Sequence, residues 1–246
     1  PTGSGKTTTL YAALTKLYDP AKKIITIEDP VEYELSGVNQ IPVNPKRGLS
    51  FATGLRSILR QDPDVIMVGE IRDHETADIA IRSALTGHLL FSTLHTNDAV
   101  SAIGRMLDMG IEPFLLASVL EGVLAQRLSR RICRACRARQ PLSEAVQHRL
   151  SERERSLFPE GSAWSGAGCE ACEGRGYRGR IGLYEVMMVT GAMRTAISSR
   201  RSVPEILQTT ERGYITMRRD GLDKAAAGLT TVDLVLHATQ DVEGEI

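Results

Sequence analysis

The sequence predicts an α/β protein with a mainly parallel sheet, followed by a small cysteine-bearing subdomain and a helical C-terminal region. Three observations carry this. Short β-branched runs alternate with helix-period stretches through the first 110 or so residues, the pattern of βαβ units. A Gly-Ser-Gly-Lys-Thr loop, Gly3 to Thr7, opens the first helix. Two C-x₂-C pairs, Cys133/Cys136 and Cys169/Cys172, lie well apart in the second half. At roughly 150 residues per domain, 246 residues suggest one large domain with an appendage.

The elements follow in order. Lys6 to Tyr18 has Leu10, Ala13, Leu14 and Leu17 on one stripe and predicts a helix. Ile24 to Ile27 is a β-branched run and predicts a buried strand. Val31 to Val43 alternates around Ser36-Gly37 and predicts a hairpin. Phe51 to Arg60 predicts a helix stopped by Asp62-Pro63, and Val65 to Val68 a second buried strand. Glu75 to Leu85 reads as a helix, Leu89 to Leu94 as a third strand, and Asn97 as the cap of a helix reaching Met109. Phe114 to Leu128 reads as one further helix. From Gly191 several short helices are expected. The expected divisions are 1–128 for the α/β core, 129–182 for the cysteine subdomain and 183–246 for the helical region.

Composition excludes some functions. Thirty basic and thirty acidic side chains cancel, and aromatics are 4%, which argues against nucleic acid as the partner. No apolar run approaches the ~20 residues that cross a bilayer.

The opening loop has the form of a phosphate cradle, G-x-x-x-x-G-K-[ST], lacking its first glycine and the strand that feeds it. The expectation is therefore a piece of a longer protein whose first strand is missing. Glycines let backbone N–H groups turn toward phosphate oxygens, the lysine bridges the β- and γ-phosphates, and the Thr7 hydroxyl suits Mg²⁺. Gly3, Ser4, Gly5, Lys6, Thr7 and Thr8 are the candidate nucleotide-binding residues. Acids stand at two strand ends, Glu28 and Glu70, where open parallel sheets collect function. Gly69 occupies the place where many such enzymes carry a Mg²⁺-binding Asp, which leaves Glu70 as the principal acid there. His95, past the third strand, lies where a γ-phosphate can be sensed, whereas His88 precedes that strand. Arg56 and Arg60 are four apart on one helical face, either a solvated face or cationic fingers for a phosphate in a neighbouring subunit.

Cys133, Cys136, Cys169 and Cys172 form two knuckles separated by 32 residues, more than the usual ~15–20, so the intervening residues are expected to form a small subdomain. The C-x₂-C geometry predicts a closed, structural Zn(Cys)₄ site in preference to a disulfide or free thiols. The six arginines from Arg127 to Arg139 suggest contact with acidic lipid headgroups or an acidic partner, or a solvated face offsetting the cluster's negative charge.

Four stretches, Pro1–Leu10, Ile25–Tyr33, Arg56–Asp73 and Thr86–Ala99, closely resemble the Walker A, Asp box, Walker B and His box of the type II secretion ATPases, the GspE/PulE family, whose relatives power type IV pili. The cysteine pairs, Gly176 to Arg180, Leu183 to Glu185 and Met217 to Leu222 are similar to that family as well. The resemblance implies a RecA-like P-loop NTPase core working as a homo-hexamer on ATP and Mg²⁺. It implies Lys6 and Thr7 as phosphate and Mg²⁺ ligands, Glu70 as catalytic glutamate, Glu28 as the Asp-box acid and His95 at the γ-phosphate. Arg56 and Arg60 match arginines near the subunit interface. It further implies inner-membrane platform proteins as partners and a cytoplasmic location on the inner-membrane face, a reducing compartment that disfavours disulfides. Asn39 to Lys46 and Asp108 to Phe114 resemble the secretion class more than the pilus class, with a pilus assembly or DNA-uptake ATPase of the same superfamily as the alternative.

Overall fold

A computed structural model describes residues 1–210 and 213–239. Four strands, β1 (Ile24–Glu28), β2 (Asn39–Pro42), β3 (Val65–Val68) and β4 (Leu89–Ser92), form a wholly parallel sheet in the order β2-β1-β3-β4. Every residue of β1 and β3 is buried, as expected of central strands covered on both faces. Helix α1 (Lys6–Leu17) covers one face: Tyr11 and Leu14 pack on Ile24, Val65 and Met67. The other face carries Ile25, Ile27, Ile66 and Val68. They meet Leu55 and Ile58 of α2 (Phe51–Ile58) and Ala77 and Ile81 of α3 (His74–Leu85). The alternation of Ile24/Thr26 against Ile25/Ile27 thus sorts side chains to opposite faces. Each fully buried Ile or Leu contributes about 1.5–3 kcal/mol by leaving water.

The hairpin expected across Val31–Val43 is not formed. Only Asn39–Pro42 is a strand, and it runs parallel to β1. The chain before it is held as a loop by one side chain: Gln40 accepts from the Leu35 N–H at 2.7 Å and donates to the Tyr33 carbonyl at 3.2 Å. Helix α4 (Ala99–Asp108) is capped by Asp98, not Asn97. The Asp98 carboxylate accepts from the Ser101 N–H at 2.7 Å, while the Asn97 amide oxygen accepts from Arg127 at 3.1 Å.

The largest departure lies in Phe114–Leu128. Helix α5 (Pro113–Val119) ends early, and β5 (Gly122–Ile132) follows, paired antiparallel to β8 (Tyr177–Met188) from Gly122↔Met188 to Ile132↔Tyr177. Leu124, Ala125, Gln126 and Leu128 are good helix formers, but a long-range partner overrides weak local preference. Strands β5 and β8 run through the positions 128/129 and 182/183 where divisions were expected, so one ribbon is common to all three stretches.

Between the ribbon strands lie β6 (Arg137–Pro141) and β7 (Ser162–Gly166), an antiparallel pair, with α6 (Glu144–His148) and α7 (Glu152–Arg155) in their connection. Helices α8 (Gly191–Ser198), α9 (Val203–Leu207), α10 (Met217–Ala226) and α11 (Val232–Ala238) complete the chain. A second core joins Val146, Leu150 and Phe158 to Leu183, Leu222, Val235 and Leu236. A largely apolar cavity of about 870 Å³ lies between β4 and the start of β5, with Pro1 at its margin and Leu90, Phe91, Val123 and Ala125 among its walls. Among the described residues no helix is long and apolar enough to cross a membrane.

Candidate active site and metal centre

Gly3 and Gly5 stand at φ 76° and 88°, the left-handed region open to glycine, and curl the loop into α1. A Cβ on Gly5 would also come within 2.8 Å of the Gln126 amide. The first turn of α1 has no side-chain cap, in contrast to α2, α3 and α4, capped by Ser50, Asp73 and Asp98. Its N–H groups and positive dipole end suit an anion. Lys6 donates to the Pro1 carbonyl at 2.9 Å. Partial burial lowers its pKa, and the nearby charge of Glu70 opposes that shift. Ser4 is buried; Thr7 is half-buried and Thr8 exposed. A hollow of about 320 Å³ adjoins the loop, lined by Thr2, Gly3, Ser4, Arg127 and His237 among others.

Glu70 sits just past β3, buried, and has two partners: Arg72 on one oxygen and His95 Nε2 at 3.2 Å on the other. The strand ends are locked by Ser92 and Thr93, whose hydroxyls donate to the Val68 and Gly69 carbonyls at 2.8 and 2.7 Å. Gly69 has a steric reason. A Cβ there would lie 3.2 Å from the Ile27 carbonyl oxygen and 3.3 Å from Glu28 Cα, so an aspartate would press on the β1 backbone. The loop lysine, Glu70 and His95 are therefore one cluster, drawn from α1 and the ends of β3 and β4.

Glu28 is placed differently. It is 2% exposed, and its oxygens accept from Tyr11, Thr26 and Gln40 behind α1. Burial and the bond to Glu28 push the Tyr11 phenol up to about 12. Arg56 pairs with Glu75 at 2.8 Å and Arg60 donates to the Arg56 carbonyl at 2.9 Å, so their partners lie on α2 and α3, not on the loop. His88 closes a turn by bonding Ser83 and Thr86.

Three participants lie outside the residues read from the sequence, two of them because their partners are distant. Arg72 is the cation on Glu70. Gln126 of β5 reaches the loop across 122 residues. Glu185 of β8 is 5% exposed and accepts from the Ala99 N–H at 2.8 Å and the Met217 N–H at 3.0 Å, tying the N-termini of α4 and α10 to the ribbon.

The ribbon's far end carries the four cysteines, whose sulfurs all lie within 4.8 Å of one another. Cys133–Cys169, Cys136–Cys172 and Cys169–Cys172 are separated by 3.9, 3.8 and 3.8 Å. Zinc–sulfur bonds of ~2.3 Å give a tetrahedral edge of ~3.8 Å, against ~2.05 Å for a disulfide. All four are free thiols, so the donor set and its spacing fit zinc. The Cys169 and Gly176 N–H groups each donate to the Cys172 sulfur at 3.2 Å. These bonds pull that thiol down to about 6, which favours the thiolate a metal needs. The arginines of this end stack on rings: Arg130 lies 4.3 Å from the Tyr177 ring centre, and Arg137 and Arg139 flank Trp164 at 5.0 and 5.2 Å.

A glycine-lysine loop opening a helix, set against an acid at a neighbouring parallel-strand end, defines a P-loop protein of the RecA-like α/β class. The chain belongs to the type II/IV secretion system protein family, whose model matches residues 1–239. It is 52% identical over 241 residues to type II secretion system protein E of Aeromonas hydrophila, covering 98% of this chain and 48% of that protein. It is 49% identical over 241 residues to the type IV pilus assembly ATPase PilB of Thermus thermophilus, covering 97% of this chain and 27% of that protein. The crystal structure of the pilus retraction motor PilT with bound ADP is similar at a TM-score of 0.67 and 31% identity, over 97% of this chain and 59% of that one. The chain thus spans about half the length of its type II relative.

Proposed function

We propose that this chain is the nucleotide-hydrolysing part of a type II secretion motor, which assembles as a hexamer and spends ATP on building a pseudopilus for protein export. The observation that supports it most is the Lys6–Glu70–His95 cluster at the mouth of the loop. Glu70 is buried and its two oxygens are held by Arg72 and His95, which aims the carboxylate as a base that orients water must be aimed. In this reading water attacks the γ-phosphorus, its proton passes to Glu70, and the β–γ bridging bond breaks to leave ADP and phosphate. Lys6 stabilises charge on the transferring group, and His95, bonded to Glu70, senses its departure. Thr7 is the residue to hold Mg²⁺, which supplies further charge neutralisation at the phosphates. With its oxygens occupied, Glu28 serves by fixing α1 through Tyr11. Arg56 and Arg60, exposed on the α2 side, are assigned to a neighbouring subunit's phosphate.

The apolar cavity between β4 and β5 supports a strand ahead of Pro1, parallel to β4, in the slot that would feed the loop. The three divisions 1–128, 129–182 and 183–246 are retained with the β5–β8 ribbon shared among them. The inner-membrane platform, with acidic phospholipid as a further contact, is the proposed docking partner of the arginine-rich end. The PilB relative supports pilus assembly as the second reading.

The test is Mg²⁺-dependent ATP hydrolysis by the full-length protein, beside its Lys6→Ala variant and residues 1–246 alone. Turnover lost in the variant is the expected result. Equal turnover in both would overturn the site, and a silent parent, even with membranes present, would overturn the motor.

A further inference from the structure

We infer that Gln126 is a positioning residue for the phosphate loop: it sets which way the Ser4–Gly5 peptide faces. The inference deepens the proposed nucleotide site and rests on it. Gln126 lies on β5, 8% exposed, and both ends of its amide are used. Its Nε2 donates to the Ser4 carbonyl at 2.9 Å, and its Oε1 accepts from the Thr9 hydroxyl at 2.7 Å. One side chain therefore ties the crown of the loop to the first turns of α1, the two walls of the cradle.

The peptide it grips is the one most free to turn over. Ser4 is flanked by Gly3 and Gly5, both in the left-handed region, and glycine accepts either orientation at little cost. In a trans peptide the C=O and the next N–H point in opposite directions. Holding the Ser4 carbonyl toward β5 thus forces the Gly5 N–H to the opposite side, away from the ribbon. A cradle of this kind needs that N–H turned inward to meet a phosphate oxygen. A flipped peptide would present a carbonyl there and repel the anion. Leu128, two residues on along the same face of β5, backs Gly5 at about 3.6 Å from the position its Cβ would take, so the loop rests on the strand as a whole. The chemistry specified is a β-phosphate, not a base or a ribose. Nucleoside diphosphates and triphosphates should sense Gln126, and a monophosphate should not.

The experiment uses the full-length protein and three variants, Gln126→Met, Gln126→Glu and Thr9→Val, with Lys6→Ala as reference. Fluorescent ADP and AMP analogues are titrated, and steady-state KM and kcat are measured for ATP. Gln126→Met keeps volume and removes both bonds; roughly tenfold weaker ADP binding is expected, with AMP affinity unchanged, since a buried carbonyl loses its donor. KM should rise by about the same factor and kcat at saturation stay within about twofold, the signature of binding lost equally in ground and transition states. Thr9→Val, which leaves the Ser4 bond, should weaken ADP by only about two- to threefold. Should Gln126→Met fail to fold, Gln126→Glu decides: it keeps the Thr9 bond but sets an acceptor against the Ser4 carbonyl, and must weaken ADP more than Thr9→Val does. Parent-like ADP affinity in the Gln126 variants, or equal loss of ADP and AMP, overturns the inference while the site stands. Parent-like ADP binding by Lys6→Ala overturns the site and this inference together.

Discussion

The phosphate-loop end and the cysteine end of this chain hang on one ribbon, β5–β8, and are held by opposite means. At the loop end, fully buried strands β1 and β3 fix the backbone, and the reactive groups are brought to their tips by a large apolar core. At the cysteine end, β6 is exposed along its whole length and its partner β7 buries only Ala163. Apolar burial holds the connection between the two strands, through Val146, Leu150 and Phe158, but reaches the pair itself only at Ala163; the four cysteines hold its ends if a metal joins them. The loop end thus has an apolar scaffold distinct from its candidate site, whereas the candidate metal ligands of the other end are themselves part of what holds it together.

Metal removal should break that symmetry most sharply. A structural zinc contributes on the order of 10 kcal/mol or more to the fold around it. Chelation, or Cys172→Ser, is expected to release one zinc per chain and to abolish hydrogen-exchange protection in β6, β7 and the knuckles. The amides of β1 and β3 should keep theirs. Global unfolding would show that the ribbon transmits the loss, and the two ends could then no longer be treated as separately supported.

The converse change acts on chemistry alone. Glu70→Gln in the full-length protein is expected to keep ATP binding and thermal stability while turnover falls by roughly 10²–10⁴-fold, the range for loss of a positioned base. The same change with Tm lowered by many degrees would mean that Glu70, through Arg72 and His95, is a structural member of the loop end. Unaltered turnover would remove it from the mechanism.

What was readable from the sequence divides along the same line. The loop, the strands Ile24–Ile27 and Val65–Val68 and the cysteine knuckles are local patterns: glycine placement, β-branching and C-x₂-C spacing act within a few residues. Missed features are non-local. Gly122–Leu128 has helical composition and becomes a strand because Val186, Tyr184 and Gly182 wait more than 50 residues away. Val31–Val43 alternates like a hairpin, yet Gln40 spends its amide on Leu35 and Tyr33 and leaves one strand only. Asp98 takes the cap in place of Asn97 because Asn97 is engaged by Arg127. Gly69 was visible as a departure, but its cause, the passing backbone of β1, is visible only in three dimensions.

The smallest expected effect tests how much of the cysteine end stands without metal. Arg218 of α10 grips Glu154 of α7 at 2.6 Å and the Arg149 carbonyl at 2.7 Å, both ionic side chains being mostly buried. Burial alone would raise the Glu154 carboxyl, but the bonds from Arg218 and Ser151 outweigh it and bring it down to about 2, from an ordinary 4.5. A folded-state value below the unfolded one means the pair stabilises the protein fully above pH 4.5 and stops doing so as pH falls toward 2. Glu154→Gln should therefore cost about 1–3 kcal/mol at pH 7 and almost nothing near pH 2, read as the difference in Tm between parent and variant across that range. Both proteins are compared after chelation, so metal release in acid does not enter the difference. A gap that stays constant with pH would show that the neutral side chain packs differently, and that charge does not tie α7 to α10. A gap that closes between pH 4.5 and 2 would give the cysteine end a second, metal-independent hold through its helices.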